Sequence, residues 1–227
     1  MVMLQSLKIP DIVTLSNALF GMGAMVVASN GHYDLACILL LIAAVADGVD
    51  GYLARRLTSS EFGGAMDSLA DVISFGIAPA FVVYSAYSTP HPYLIGIAVC
   101  FYIVCGILRL ARFSSIHNGT HDFKGLPITA GSVMIASYLL IDEKFINTYS
   151  VVALVVILSL LMISTFTYTK LSNTKTMASV SVIFGLVIPS FFINMEYTPS
   201  FSLVLFLAMV LYVASPVINS NKISNQG

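Results

Sequence analysis

Charge is what this sequence has least of. Only 9% of its 227 residues are charged, against 58% hydrophobic, where a soluble domain carries roughly 25% charged residues. The soluble globular class is excluded on that ground. Tryptophan is absent and there are three cysteines. Cys37, Cys100 and Cys105 all lie inside apolar stretches. Their spacing fits neither a disulfide framework nor a zinc site, so they read as small buried hydrophobes. Ten Lys and Arg against eleven Asp and Glu leave a net charge of -1. With no basic stripe to hold phosphates, nucleic acid is excluded as a partner. Long polar stretches are missing as well, so a second soluble domain has no room.

What is present is apolar length, with a mean hydropathy of +0.92. A membrane helix needs about 20 mostly apolar residues to cross a hydrocarbon core of roughly 30 Å. Eight segments are candidates: Ile12–Ser29, Tyr33–Leu57, Gly64–Tyr87, Pro92–Phe113, Ile128–Ile141, Thr148–Thr167, Met177–Ile193 and Ser200–Val217. The fifth is the shortest, with Gly125 and Pro127 just before it. Lys8 and the apolar run after it match a signal peptide in outline, but seven further spans favour a retained first helix. The expectation is an all-α integral membrane protein forming a single domain over residues 1–227. Its core lies at about 11–142 and its C-terminal helices at about 148–217.

Eight spans divide the cations unevenly. One side receives Lys8, Arg55, Arg56, Arg109, Arg112, Lys124, Lys170, Lys175 and Lys222; the other receives only Lys144, between acidic neighbours. The excess of Lys and Arg marks the cytoplasmic side. Both termini are therefore expected in the cytoplasm of a multi-pass protein of the cell membrane.

Two helices break the apolar pattern. The second ends in Ala46-Asp47-Gly48-Val49-Asp50-Gly51-Tyr52-Leu53-Ala54-Arg55-Arg56, and the third begins Gly63-Gly64-Ala65-Met66-Asp67-Ser68-Leu69-Ala70-Asp71. An ionised Asp inside a span costs about 2.5–3.5 kcal/mol on insertion scales, so four require compensation. Asp47 and Asp50 are three apart, and Asp67 and Asp71 are four apart, so each pair projects from one helix face. A short link makes the two helices antiparallel neighbours, which brings both faces together near the cytoplasmic surface. Converging carboxylates repel one another unless a doubly charged ion sits between them, and all-oxygen ligation favours Mg²⁺, Mn²⁺ or Ca²⁺. Small residues around the acids (Gly48, Gly51, Ala54, Gly63, Gly64, Ala65) serve either close helix packing or the approach of a flat ligand. Three readings stand at this point: a metal-dependent enzyme, a cation or proton transporter, and a structural cluster with Arg55 and Arg56. All the intramembrane acids lie in one half of the chain, which weighs against the paired broken helices of a transporter.

The arrangement Asp47-x-x-Asp50-Gly51-x-x-Ala54-Arg55, then Gly63-x-x-x-Asp67-x-x-x-Asp71, resembles the motif of the CDP-alcohol phosphotransferases. The loop from Arg56 to Phe62 is one residue shorter than is usual in that family. Asp67-Ser-Leu-Ala-Asp71-Val-Ile-Ser-Phe-Gly-Ile-Ala-Pro79, Arg109-Leu-Ala-Arg112-Phe113 and Phe123-Lys-Gly-Leu-Pro127 are similar to the serine-using branch, as is the opening Ile9–Gly21. The likeness covers roughly the first 130 residues. It implies transfer of a phosphatidyl group from CDP-diacylglycerol, or an ether-lipid equivalent, to the hydroxyl of L-serine with release of CMP. Sister enzymes use glycerol 3-phosphate or inositol phosphate instead.

By that resemblance Asp47, Asp50 and Asp67 are ligands of Mg²⁺ or Mn²⁺, with two ions implied, and Asp71 either joins them or acts as general base toward serine. Asp47, Gly51, Ala54 and Arg55 are expected beside the CDP moiety, and a homodimer is implied. Arg109 and Arg112 are candidates for the serine carboxylate or a phosphate, with positive-inside anchoring as the plain alternative; Lys124 shares that ambiguity. His117 and His121 read as part of a solvated loop rather than a metal pair. The glycosylation-like Asn118-Gly-Thr120 falls on the cytoplasmic side and is discounted. Asn17 reads as a packing residue of the first helix, with contact to the nucleotide as the alternative.

Overall fold

The first helix inverts the rule of soluble proteins. In a computed structural model that describes residues 8–57, 60, 62–115, 123–168 and 174–224, α1 spans Ile9–Ser29. It buries Pro10, Asp11, Thr14, Asn17, Gly21, Ala24 and Ala28, a stripe of three- and four-residue steps. Outward it presents Ile12, Leu15, Leu19, Met22 and Val26. Large apolar groups face the lipid, while small and polar ones face the protein, because lipid gives no reason to bury a leucine and small residues let backbones approach. The Asp11 carboxylate accepts the Lys8 N–H at 2.8 Å and the Ser60 hydroxyl at 3.0 Å. The start of α1 is thereby capped and tied to the loop between the two acidic helices.

Gly31, at φ +83, closes α1 in the left-handed region, and the chain returns as α2 (Tyr33–Arg56), packed along α1. Next come α3 (Gly63–Asp71), a π turn (Val72–Ile77), α4 (Ala78–Tyr87) and α5 (Pro92–Ser115). The second half holds α6 (Ile128–Leu139), α7 (Thr148–Ile163), α8 (Thr174–Ile193) and α9 (Thr198–Ser224). The side chains of Arg55, Phe123 and residues 114–115, 174–183 and 217–224 lie outside the described set, as do His117, Asn118, His121 and Lys170.

All eight apolar segments expected from the sequence are helical. Among the described residues, five stretches are long and apolar enough to cross a membrane: Ile9–Ser29, Tyr33–Ala54, Gly63–Tyr87, Pro92–Phe113 and Met195–Pro216. Ile128–Leu139, Thr148–Ile163 and Phe184–Ile193 are shorter apolar stretches. Several helix ends differ from expectation by a few residues, and two of them have evident local reasons. The helix expected over Thr148–Thr167 stops at Ile163 because Ser164 takes an extended backbone. Thr167–Tyr168 then pairs antiparallel with Phe123–Lys124. The segment expected over Ile128–Ile141 ends at Leu139, giving a helix of 12 residues about 18 Å long, too short to span by itself. Ten of those residues are buried, so α6 is a core element packed against α2 and α9 rather than a lipid-facing span.

Gly125 sets where α6 begins. At φ +87 it occupies a conformation that L side chains avoid, and a Cβ there would strike the Met162 carbonyl. Its N–H donates to Phe166 and that of Leu126 to Leu161, which holds the entry to α6 against the end of α7. Arg112 reinforces the junction, donating to the carbonyls of Ser164 and Ile163 at 3.3 Å each. Lys8, Arg56, Arg109, Arg112 and Lys124 lie at the end of the helices where α1 starts and α2 stops. Lys144 lies at the other end, paired with Asp142 at 3.1 Å.

Candidate active site

α2 and α3 both pack against α1, and three acids of those two helices come together. One carboxylate oxygen each from Asp47, Asp67 and Asp71 lies within 4.8 Å of the others. Asp71 is buried, while Asp47 and Asp67 are partly accessible. The helical spacing read from the sequence thus delivers three of the four acids to one point. Asp50, one turn from Asp47 and itself buried, accepts the Thr14 hydroxyl of α1. It stays within electrostatic reach of both Asp47 and Asp67, so it borders the cluster. Thr129, in the first turn of α6, donates to Asp47 at 3.5 Å.

A hard divalent cation suits this donor set. Asp71 Oδ1 is buried and has no hydrogen-bond partner among the described residues, and its nearest charged neighbours include two further carboxylates. Leaving such an oxygen unpaired costs about 1–3 kcal/mol or more, and an ion offsets both that cost and the mutual repulsion. Asp47, Asp67 and Asp71 would hold it. A Cβ added at Gly48 or Gly64 would meet nothing within 4 Å. These two glycines therefore leave open space beside the acids instead of admitting a neighbouring helix. Gly51 and Ala54 follow on the same helix.

The two arginines offered as anion-binding candidates take separate partners. Arg109 lies over the Phe113 ring at 5.5 Å, within electrostatic reach of Asp71 and Asp47. Arg112 faces the carbonyls that end α7, a favourable place for a cation. Lys124 is exposed on the two-residue strand. Arg109→Ala is expected to lower turnover about tenfold or more, the loss of one charged contact of about 1.5–3 kcal/mol. Arg112→Ala should chiefly lower the thermal midpoint. Measuring both quantities for both variants checks the division, and the reverse pattern would return Arg112 to anion binding.

Several polar residues near the site had no clear signal in the sequence. Thr14, Ser60 and Thr129 are common residue types, and only folding brings them to carboxylates. Asn17 is fully buried with neither amide atom partnered among the described residues, while its backbone carbonyl accepts the Ser74 hydroxyl at 2.9 Å. A cavity of about 1100 Å³ opens elsewhere, lined by Asp34, Tyr87, Leu140, Glu143, Phe191 and Met195 among others. It contains none of the clustered aspartates and sits at the opposite end of α2.

The sequence profile of the CDP-alcohol phosphatidyltransferases matches residues 7–214, a stretch that includes every helix contributing to the acidic cluster. The chain belongs to that family. It is similar to the archaetidylserine synthase of Methanothermobacter thermautotrophicus, at 37% identity over 170 residues, covering 74% of this chain and 72% of the relative. The CDP-diacylglycerol–serine O-phosphatidyltransferase of Methanocaldococcus jannaschii is 36% identical over 169 residues, covering 74% and 76%. That of Helicobacter pylori is 35% identical over 175 residues, covering 73% of each chain. Family membership disposes of the transporter and salt-bridge readings. Members generally use a divalent metal, in keeping with the donor set formed by Asp47, Asp67 and Asp71.

Proposed function

We propose that this protein is a CDP-diacylglycerol–serine O-phosphatidyltransferase, acting on an ester-linked donor or its archaeal ether equivalent. The observation that carries the reading is the convergence of Asp47, Asp67 and Asp71 in a chain whose relatives bear serine-transferase names. In the proposed reaction the serine hydroxyl oxygen attacks the phosphorus that carries the diacylglycerol. The bond from that phosphorus to the CMP oxygen breaks, and CMP leaves with the electron pair. Asp71 takes the hydroxyl proton. Asp47, Asp50, Asp67 and Asp71 would hold Mg²⁺ or Mn²⁺, in one or two sites. When bound, the metal supplies positive charge for the attacking and leaving oxygens.

Gly51, Ala54 and Arg55 would border the CDP moiety, in keeping with the open space at nearby Gly48 and Gly64. Arg109 is the favoured partner for an anionic group of the substrates because it lies within reach of the acids, with Arg112 and Lys124 farther from the chemistry. The acidic end of the bundle is proposed to face the cytoplasm, since the described cations gather there. Both termini would then be cytoplasmic, the whole chain would act as one membrane-embedded unit, and the enzyme would work as a homodimer.

The test is CMP release by purified protein supplied with CDP-diacylglycerol, L-serine and Mn²⁺ or Mg²⁺. Glycerol 3-phosphate and inositol phosphate serve as parallel acceptors. Release that depends on serine is expected. Release with a phosphorylated acceptor instead would keep the reaction class and overturn the acceptor.

A further inference from the structure

Immediately after Asp71 the helix widens into the π turn Val72–Ile77, and the sequence gives a reason. Pro79, at the start of α4, has no N–H for the carbonyl four residues earlier, and its ring crowds that carbonyl. The carbonyl belongs to Phe75. It is fully buried, in a place where an unpaired backbone oxygen is costly. The missing donor comes from another helix: the Tyr102 hydroxyl of α5, itself fully buried, reaches the Phe75 oxygen at 3.0 Å. From the opposite side the Ser74 hydroxyl donates to the Asn17 carbonyl of α1 at 2.9 Å. Gly21 lets that helix come so close that a Cβ there would lie 2.6 Å from Ser74 Cα. The turn is thus gripped between α1 and α5 by one side-chain hydrogen bond on each side.

The location of the grip gives it a chemical consequence. Tyr102 and Arg109 are seven residues apart, two turns along the same face of α5, and Arg109 is within electrostatic reach of Asp71. Tyr102 therefore fixes α5 against the segment leaving Asp71 and, through the same helix face, sets where Arg109 stands relative to that carboxylate. π turns inside helices recur at functional sites because they shift side-chain register locally. Gly131 on α6 leaves room for the tyrosine; a Cβ there would lie 3.0 Å from its hydroxyl oxygen.

We infer that Tyr102 is a positioning residue for the active site: its hydrogen bond to the Phe75 carbonyl, opposed by Ser74 on Asn17, holds the π turn that sets Asp71 among the metal-binding acids. The inference rests on the reading of Asp71 as part of the site. Tyr102→Phe removes only the hydroxyl and keeps the ring volume. In the full-length protein it is expected to lower kcat about tenfold, with KM for CDP-diacylglycerol unchanged within about twofold. It is also expected to weaken Mn²⁺ binding to the substrate-free protein about fivefold by calorimetry. Ser74→Ala releases the grip from the α1 side and should show the same pattern in smaller degree, and it decides the matter if Tyr102→Phe does not fold.

A lower thermal midpoint with unchanged Mn²⁺ affinity and unchanged kcat per folded molecule would overturn the inference and leave Tyr102 a structural residue. Asp71→Asn, measured alongside, separates the two levels. Full turnover in that variant would refute the site itself, whereas a null result confined to Tyr102 and Ser74 would refute only the grip on the π turn.

Discussion

Asp71→Asn should lower CMP release by about 10²–10⁴-fold, the range that a positioned acid–base group contributes, while CDP-diacylglycerol binding stays detectable. Asparagine keeps the volume of the side chain, so α3 and the π turn have no steric reason to move. It cannot take the proton of an attacking hydroxyl, and its amide is a poorer ligand for a hard cation than a carboxylate. The fold should tolerate the change. Asp71 is buried beside Asp47 and Asp67, and removing one negative charge from three relieves repulsion. The thermal midpoint of the variant in chelator should therefore equal or exceed that of the parent. Turnover, lipid-nucleotide binding and melting measured on one preparation test all three statements. Loss of binding with intact chemistry would contradict the role given to Asp71.

Removing divalent metal is the second large expected effect. If a bound ion supplies about 4 kcal/mol of charge stabilisation in the transition state, excess chelator costs about a thousandfold in turnover. Activity should return on adding Mn²⁺ or Mg²⁺. The same ion should stabilise the fold, because it binds carboxylates that converge only in the native state. At a concentration a hundred times its dissociation constant, linkage gives about 2.7 kcal/mol, which is visible as a raised thermal midpoint. Asp47→Asn should blunt both responses together. Turnover indifferent to chelator would remove metal from the reaction and leave the acids needing another explanation.

Much of the site could be read directly from residue spacing. The intervals Asp47–Asp50 and Asp67–Asp71 match the helical repeat, so each pair was expected on one helix face; Asp47, Asp67 and Asp71 do converge, while Asp50 turns to Thr14 of α1. Cost argued in the same direction: four acids in apolar helices are too expensive to be accidental. The eight apolar segments were legible for a similar reason, since hydrophobic length depends only on composition.

What composition could not reveal was where each segment sits. The Ile128–Leu139 helix looks like a lipid-facing span by its apolar content, yet it is a buried core element, because apolar residues are equally at home in lipid and in protein. The separation of Arg109 from Arg112 also depended on the end of α7 arriving beside α5. The partners of Asp50 and Asp47 likewise come from far along the chain, Thr14 and Thr129 being 36 and 82 residues away. The sequence by itself determined a membrane-embedded helical protein with a cluster of aspartates, because local spacing and apolar length are properties of neighbouring residues. Only the tertiary structure decided which hydroxyls hold those acids, which arginine faces them and which tyrosine answers Pro79, because each of those contacts joins helices far apart in the chain.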